Sequence, residues 1–300
     1  MMRIAFVGAG GVGGWFGARL AHAGADVAFV ARGAHAEAMR SRGLELRGEG
    51  GPLLQPVRLA EAGDAPYDVV LLATKMYDLD AAIEAAKPFV GPSTRVVPLQ
   101  NGVEAHAITK ATFGDRTAGG VAGISAHIEE PGVIVRAGPF AWLKFGEWDG
   151  RPQPLFDALM AACAKAKFEA EHSPRIELAV WNKFVMLAPF ATICGYARQP
   201  IGPIRDDAAL WARLEALVRE ACAVGLAHGI PLDADRTDQV LEGQRRQEPS
   251  IKASMLKDLE AGRRIELDWL GGAVERLGAE AGVPTPITTE TVAAIRAAYP

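Results

Sequence analysis

Short apolar runs alternate with amphipathic stretches along the first third of the chain. The runs predict buried strands at residues 3–7, 27–31, 67–73 and 95–99, and helical spacing of apolar residues predicts helices between them, such as 34–42. Strands that alternate with helices are typical of a parallel sheet of the Rossmann type. The pattern therefore predicts an α/β fold for this part of the chain.

The pattern changes twice further along. Residues 119–148 alternate between apolar and polar positions around turn signals, which predicts antiparallel strands that extend the first sheet. No strand is predicted after Phe168, and the spacing is helical onward from there. A first helix is expected at 175–193, interrupted at Pro189 because proline breaks the helical hydrogen-bond pattern.

Length and composition agree with two domains. Three hundred residues exceed one Rossmann unit, and a hydrophobic fraction of 49% is enough for two cores. We therefore expect an α/β Rossmann-type domain over residues 1–170 and an all-α domain over residues 171–300.

A glycine motif follows the first predicted strand. Gly8, Gly10 and Gly13 have the spacing G-x-G-x-x-G at the start of a helical segment. Glycines there permit a tight turn, close approach of the backbone to a pyrophosphate, and close packing of helix on strand, while the helix N-terminus attracts the anion. An ordinary glycine turn is the alternative, but the position directly after a strand favours a dinucleotide site. The predicted contacts are Gly8, Ala9, Gly10, Gly11, Val12 and Gly13.

The residue that follows the second predicted strand indicates which dinucleotide is bound. NAD-binding sites usually place Asp or Glu there for the ribose 2′-hydroxyl, but this chain has Arg32. A guanidinium pairs with a 2′-phosphate, which a carboxylate would repel. Arg32 therefore predicts NADP(H) as the cofactor, with a solvated loop charge as the alternative.

Polar residues follow two further strands. Lys75 comes after the strand at 67–73, and Asn101 comes after the strand at 95–99. Because ligands of open α/β sheets bind beyond the carboxyl ends of the strands, both are candidate ligand-binding residues. A solvated lysine and an Asn-Gly turn are the alternatives.

The helical half carries two groups of candidate residues. Lys183 lies among apolar residues, and a desolvated ammonium has a pKa lowered toward neutrality, which suits a proton donor in carbonyl reduction. A lysine that extends its amine to solvent is the alternative. In the second group, Ser254 and Asp258 lie one turn apart on a predicted helix that Gly262 ends, and Glu266 starts the next helix. The alternative here is a capped, salt-bridged helix pair.

Charge and cysteine content exclude several classes of partner. A net charge of −4 and a pI near 5.9 give no electrostatic footprint for nucleic acid or an anionic membrane. A strand that begins at residue 3 leaves no room for a signal peptide, and no uncharged apolar run of transmembrane length is expected, so we predict a cytoplasmic protein. Cys163, Cys194 and Cys222 match neither a disulfide framework nor a zinc pattern, so reduced core thiols and no metal site are expected.

Taken together, these features resemble the ketopantoate reductase (2-dehydropantoate 2-reductase) family over nearly the full length. The resemblance rests on the glycine motif, Arg32, Thr74-Lys75, Asn101-Gly102 and a lysine soon after Trp181. Its most specific part is Ser254-Met255-x-x-Asp258-x-x-x-Gly262-Arg263-x-x-Glu266.

The resemblance implies a role for each matched position. Lys183 is the proton donor, and Glu266 helps to bind the cofactor and orient the reacting groups. Ser254 contacts the substrate carboxylate, and Asn101 touches both cofactor and substrate. Ala126 matches a position that lines the cofactor, and the implied pathway is pantothenate biosynthesis.

The chain departs from the family at the substrate pocket. Members that act on ketopantoate have asparagines four and eight residues after the lysine and another further along, where this chain has Leu187, Ala191 and Ile201. These positions predict a substrate that keeps the 2-oxo acid headgroup but has a more apolar tail.

The sequence therefore predicts an NADPH-dependent reductase of a 2-oxo acid, with its active site in the cleft between the domains. A homodimer is compatible with the sequence. A reductase of imines and an inactive NADPH-binding regulatory protein remain alternatives. Short-chain dehydrogenase chemistry is disfavoured because no Tyr-x-x-x-Lys occurs, and a zinc alcohol dehydrogenase is disfavoured by the cysteine spacing.

Overall fold

The structure, a computed structural model, describes residues 2–49, 52–61 and 63–299. Tertiary contacts divide the chain into two compact units. The first unit ends at Gln100 and resumes from Ala105 to Ile176. The second unit consists of Asn101–Glu104 and the chain from Glu177 onward.

The first unit contains ten strands and five α-helices among the described residues. In chain order they are β1 (Arg3–Val7), α1 (Gly11–His22), β2 (Asp26–Val30), α2 (Gly33–Arg42), β3 (Leu44–Gly48), β4 (Leu53–Gln55), β5 (Arg58–Leu59), β6 (Tyr67–Leu72), α3 (Leu79–Ala86), β7 (Val90–Pro98), α4 (Ala105–Phe113), β8 (Gly119–Glu130), β9 (Val133–Gly146), α5 (Pro154–Lys165) and β10 (Glu169–His172). Short 3₁₀ turns occur at Met76–Asp78, Lys87–Phe89 and Gly114–Arg116.

The first sheet has five parallel strands in the order β5, β2, β1, β6, β7. Its central strands β1 and β6 are buried almost throughout, because neighbouring strands and helices cover both faces of a parallel sheet. This burial explains why the strands form continuous apolar runs in the sequence. The order changes direction at β1, which is where doubly wound sheets bind ligands.

The strands of residues 119–148 do not extend that sheet, so this prediction was wrong. β8 and β9 pair antiparallel, and β9 also pairs parallel with β3 and β10, while β3 pairs with β4. Together they form a second five-stranded sheet. Alternating polarity predicts strands, but it carries no information about which edge a strand pairs with.

A strand after Phe168 was also missed. β10 has the sequence Glu-Ala-Glu-His and alternates between exposed and half-buried positions. Its four residues carry no apolar run, so the pairing with β9 creates the strand. Through β10 the first unit reaches Ile176, beyond the boundary predicted after residue 170.

Helix α1 packs on both sheets through its glycines. A Cβ atom at Gly17 would lie 2.5 Å from the ring of Phe29 in β2, and one at Gly14 would lie 2.2 Å from the side chain of Ile134 in β9. A side chain at either position would force these neighbours to shift, so the two glycines let the helix backbone approach each sheet closely.

The second unit is helical. Its helices are α6 (Ile176–Ala197), α7 (Ile201–Asp206), α8 (Ala208–Ala227), α9 (Arg236–Arg246), α10 (Ser254–Glu260), α11 (Gly271–Ala281) and α12 (Pro286–Ala298), with a 3₁₀ turn at Leu267–Trp269. They surround one apolar core. An α/β Rossmann-type part followed by an all-α part confirms the predicted fold class.

Helix α6 is continuous across Pro189, which corrects the predicted interruption. Pro189 removes one helical hydrogen bond, but Val185 and Ala188 beside it are completely buried, and this packing maintains the helix. Within the described residues α6 is also the one helix long and apolar enough to cross a membrane, although it is not the uncharged run that the sequence was expected to lack, since it contains Glu177 and Lys183. Since 67% of that stretch is buried inside the structure, a core helix explains it equally.

Candidate functional site

The glycine loop between β1 and α1 has the strained turn and close packing that its sequence predicts. Gly8 has a positive φ of 100°, and its N–H donates to the carbonyl of Val30 at 3.0 Å. A Cβ atom at Gly13 would lie 2.0 Å from the carbonyl oxygen of Gly8. Other residues would be strained at the first position and would clash at the second.

The start of α1 is suited to an anion. Gly10 is the N-cap, no side chain caps the helix, and its first turn has no acidic residue. No described atom lies within 4 Å of the place where a Cβ of Gly10 would stand. A side chain would fill this space, and the positive end of the helix favours a pyrophosphate in it. The residues present therefore fit a dinucleotide.

Strand β8 contributes a further residue to the loop. A Cβ atom at Gly11 would lie 2.2 Å from the carbonyl oxygen of Ala126, so the two backbones are in close contact. Val12 follows, partly buried, in the same turn of α1. The structure thus brings Ala126, Gly11 and Val12 together.

Arg32 forms an ion pair that the sequence did not indicate. The Arg32 guanidinium, 80% exposed at the N-cap of α2, lies 3.2 Å from a carboxylate oxygen of Asp78. Asp78 ends the 3₁₀ turn whose N-cap is Lys75. The structure therefore brings Arg32 to the segment that starts with Lys75. An exposed pair of this kind contributes little stability, so a ligand can displace it.

His35 is a second residue that sequence analysis missed. The N–H of Gly132, in the turn between β8 and β9, donates to Nδ1 of His35 at 3.0 Å. Nε2 lies 2.9 Å from the carbonyl oxygen of Ala9. An amide N–H can only donate and a carbonyl can only accept, so the neutral ring carries its proton on Nε2 and donates it to Ala9.

This histidine fixes the orientation of a peptide in the glycine loop. Burial lowers the pKa of His35, and the bond to Ala9 opposes that shift, so the ring is neutral at physiological pH. Because the peptide between Ala9 and Gly10 is planar and trans, a carbonyl held by His35 directs the N–H of Gly10 to the opposite side. A histidine three residues after Arg32 was the available signal, but its partners are distant in sequence.

In the second unit, Lys183 and Asn101 are in direct contact. Lys183 Nζ donates to Oδ1 of Asn101 at 2.8 Å, although 82 residues separate them in sequence. Asn101 is part of the short segment Asn101–Glu104 that packs with the second unit. Two candidates identified separately in the sequence are thus joined.

The charge state of Lys183 is set by two opposing effects. Burial lowers the pKa of Lys183 to about 8, and the nearby Glu266 carboxylate raises it. Glu266 is only 2% exposed and is the N-cap of the 3₁₀ turn at Leu267–Trp269. The apolar setting of Lys183 in the sequence predicted this direction of the pKa shift.

Ser254 and Asp258 of the C-terminal motif differ in burial. Ser254 is exposed at the first position of α10. Asp258 is largely buried, and its carboxylate accepts from Arg263 Nε at 2.9 Å, while its carbonyl accepts from the N–H of Arg263 at 2.8 Å. These bonds hold the segment that leads from α10 to Glu266.

The three positions that replace the family asparagines belong to the core of the second unit. Ala191 is 1% exposed and Ile201 is completely buried, and the partly buried Leu187 packs against the same core. The hydroxyl of Thr192, on the same helix, is buried and has no hydrogen-bond partner among the described residues.

Comparison with known proteins identifies the family. The protein-family model described as "Ketopantoate reductase PanE/ApbA" matches residues 4–150, and the family model of its C-terminal part matches residues 175–299. The chain is 33% identical to 2-dehydropantoate 2-reductase of Caulobacter vibrioides, with 99% of each chain covered. It is 32% identical to the uncharacterized oxidoreductase YkpB of Bacillus subtilis, with 97% of this chain and 96% of the relative covered.

A solved structure agrees with these sequence matches. The structure of 2-dehydropantoate 2-reductase from Geobacter metallireducens GS-15 aligns with a TM-score of 0.91 at 27% identity, covering 99% of this chain and 100% of that one. The comparisons confirm the family resemblance and support an oxidoreductase.

The two hydrogen bonds of His35 predict different effects for two near-isosteric variants. In His35→Gln the amide reaches the Nε2 position and keeps the bond to Ala9, whereas in His35→Asn it reaches the Nδ1 position and keeps the bond to Gly132. If the bond to Ala9 orients the loop, His35→Asn weakens dinucleotide binding by about two- to tenfold, the value of one net hydrogen bond. His35→Gln binds as the unmutated protein does.

Titration of reduced dinucleotide fluorescence measures both affinities, and thermal unfolding checks that both variants are folded. Equal affinity in the two variants would show that the bond to Ala9 has no role in binding.

Proposed function

This chain belongs to the ketopantoate reductase family, and we propose that it is an NADPH-dependent reductase that converts a 2-oxo acid into the 2-hydroxy acid. The observation that carries the proposal is the partly buried Lys183, hydrogen-bonded to Asn101 and with a pKa lowered to about 8. A cationic group with a pKa near the working pH is suited to donate a proton to a developing alkoxide.

The cofactor is bound by groups of the first unit. The backbone of the glycine loop and the N-terminus of α1 would hold the pyrophosphate, and Arg32 would pair with the 2′-phosphate. Asp78, which pairs with Arg32 in this structure, would be the competing partner. When bound, the nicotinamide supplies the hydride that the carbonyl carbon of the substrate accepts.

The proton is supplied by groups of the second unit. Lys183 donates it to the carbonyl oxygen, so that one hydride and one proton complete the alcohol. Asn101 orients the ammonium through its amide oxygen, and the negative charge of Glu266 keeps the lysine protonated despite burial. Loss of the proton leaves a neutral amine, which the same apolar surroundings tolerate.

The substrate is a small 2-oxo acid. We assign its carboxylate to Ser254 and Asn101 and an apolar tail to the region of Leu187 and Ala191. Ketopantoate itself is the second candidate, since the Caulobacter relative is named for it and the hydroxyl of Thr192 lacks a hydrogen-bond partner among the described residues. A homodimer and a cytoplasmic location remain predictions from the sequence.

Two substitutions change cofactor affinity in opposite directions. Arg32→Ala removes the charge-assisted pair and should raise the KM for NADPH about tenfold to a hundredfold, while the KM for NADH stays nearly unchanged. Asp78→Asn removes the competing carboxylate and should lower the KM for NADPH about two- to fivefold, as expected for an exposed ion pair.

Both effects are measured by steady-state oxidation of each cofactor at low ionic strength, and the Asp78→Asn effect fades as salt is added. The NADP assignment fails if the unmutated protein uses NADH and NADPH equally well.

Removal of the proton donor lowers turnover. Because general acid catalysis contributes about 10²–10⁴-fold, Lys183→Ala should lower kcat by that factor while NADPH binding, followed by fluorescence, is retained. Lys183→Arg is the matched control, since it keeps the positive charge but cannot lose a proton near neutral pH. If KM rises while kcat is unchanged, Lys183 is a binding residue and not the proton donor.

The pH profile provides a second measure of the same group. Reduction requires protonated Lys183, so kcat/KM is high below the pKa of about 8 and falls as pH rises through it. The Lys183→Arg variant should lack this descending limb.

The apolar tail is tested by substrate comparison. Burial of an unpaired hydroxyl costs about 1–3 kcal/mol, so ketopantoate should have a kcat/KM about tenfold to a hundredfold below that of 2-oxoisovalerate or a larger apolar 2-oxo acid. If ketopantoate is preferred by tenfold or more, the apolar tail is wrong and Thr192 or Gln199 becomes the candidate hydrogen-bonding partner. Ammonia added to the same assay shows whether an imine is reduced.

A further inference from the structure

Three basic side chains line one small cavity of the first unit, and two of them contact the same tryptophan. Trp15 and Arg19 lie one turn apart on α1, Arg136 comes from β9, and Lys167 follows the C-terminus of α5. They line a small cavity together with Leu46, Leu53 and the single acidic residue Glu49. None of the glycine-loop residues 8–13 lines this cavity, which distinguishes it from the N-terminus of α1.

Two of the cations share the same ring. The guanidinium carbon of Arg136 lies 5.0 Å from the centroid of the Trp15 ring, and that of Arg19 lies 5.9 Å from it. Trp15 is 4% exposed, so the ring has a fixed place in the core. Cation–π attraction favours each contact separately, but two guanidinium groups on one ring repel each other.

The surroundings of Arg136 compensate its charge only in part. Burial lowers the pKa of Arg136, Glu49 opposes that shift, and the positive charge of Arg19 adds to it. Lowering of an arginine pKa means that the protein disfavours the charge it holds there. Glu49 is exposed, so its compensation is weakened by solvent.

The hydrogen bonds of the two arginines also differ. Arg19 donates through Nε and Nη2 to the carbonyl of Ala166, at 3.2 and 3.0 Å, where it caps the end of α5. Nε of Arg136 is buried and has no hydrogen-bond partner among the described residues. A buried guanidinium N–H without an acceptor is destabilising, because its hydrogen bond to water is lost on burial and no protein acceptor replaces it.

We propose that this cavity is a binding site for one phosphoryl group, held by Arg136, Arg19 and Lys167. Three positive charges and one negative charge leave an excess of two, which matches a phosphate dianion better than a single carboxylate. The planar guanidinium of Arg136, which lines the cavity, binds phosphate oxygens in pairs. The cavity volume of about 60 Å³ admits one small group rather than a whole metabolite.

The probe is inorganic phosphate, titrated calorimetrically into the full chain at constant ionic strength with chloride as the reference anion. We expect saturable binding that weakens at least tenfold in Arg136→Gln. Arg40→Gln is the matched control, because Arg40 is exposed on α2 and pairs with Glu37. It should bind phosphate as the unmutated protein does.

Two further variants keep the result interpretable. Lys167 is exposed and has a φ of 60°, which asparagine tolerates, so Lys167→Asn removes one cation without disturbing the core and should weaken phosphate binding severalfold. Arg32→Ala removes the proposed 2′-phosphate ligand, so binding that persists in this variant and is lost in Arg136→Gln is assigned to the cavity and not to the dinucleotide site.

A phosphomonoester titrated in parallel distinguishes the sources of the group. If the phosphomonoester binds more tightly than inorganic phosphate, the natural ligand is a phosphorylated metabolite. If it binds equally or more weakly, the natural ligand is free phosphate. Both results support the proposed site. Absence of saturable phosphate binding, or equal binding by the unmutated protein, Arg136→Gln and Lys167→Asn, overturns the proposal.

Discussion

The close packing of helix α1 on two sheets is the constraint on which the first unit depends. Glycines at positions 14 and 17 let the helix backbone approach Ile134 on one side and Phe29 on the other. At the start of the same helix, Gly11 lies against the backbone of Ala126 in β8. On the same helix, Trp15 contacts Arg136 of β9. One helix therefore has an uncapped N-terminus suited to an anion and, one turn later, contributes Trp15 to a cavity lined by basic side chains.

Much of this arrangement is predictable from the sequence because its signals are local. The glycine spacing, the buried strands and the apolar surroundings of Lys183 each lie within a few consecutive residues, and each corresponds to a feature of the structure. The β10 strand has no such signal, since its charged four-residue sequence becomes a strand only through its pairing with β9. The second sheet was missed for the same reason, because strand partners are chosen by tertiary contacts.

The candidate site shows the same division between local and distant signals. Lys183, Asn101 and Glu266 were identified separately, and the structure adds the bond and the charge interaction that join them. Asp78 and His35 were missed because their importance comes from partners distant in sequence, Arg32 in one case and Ala9 with Gly132 in the other. The residue types alone give an ordinary surface acid and an ordinary helix histidine. The sequence therefore does not reveal which distant segments contact each other.

Residues Asn101–Glu104 belong to the second unit, so the two units cannot be separated by a single cut in the chain. These residues follow β7 directly in sequence, yet they pack with the helices and supply the amide that binds Lys183. A segment that starts at Glu177 lacks the amide of Asn101. If the helical part is exchanged for that of a relative, the recombinant protein combines the asparagine of one parent with the lysine of the other. Recombination at the apparent domain border thus separates Lys183 from its hydrogen-bond partner Asn101, so the two residues must be inherited together.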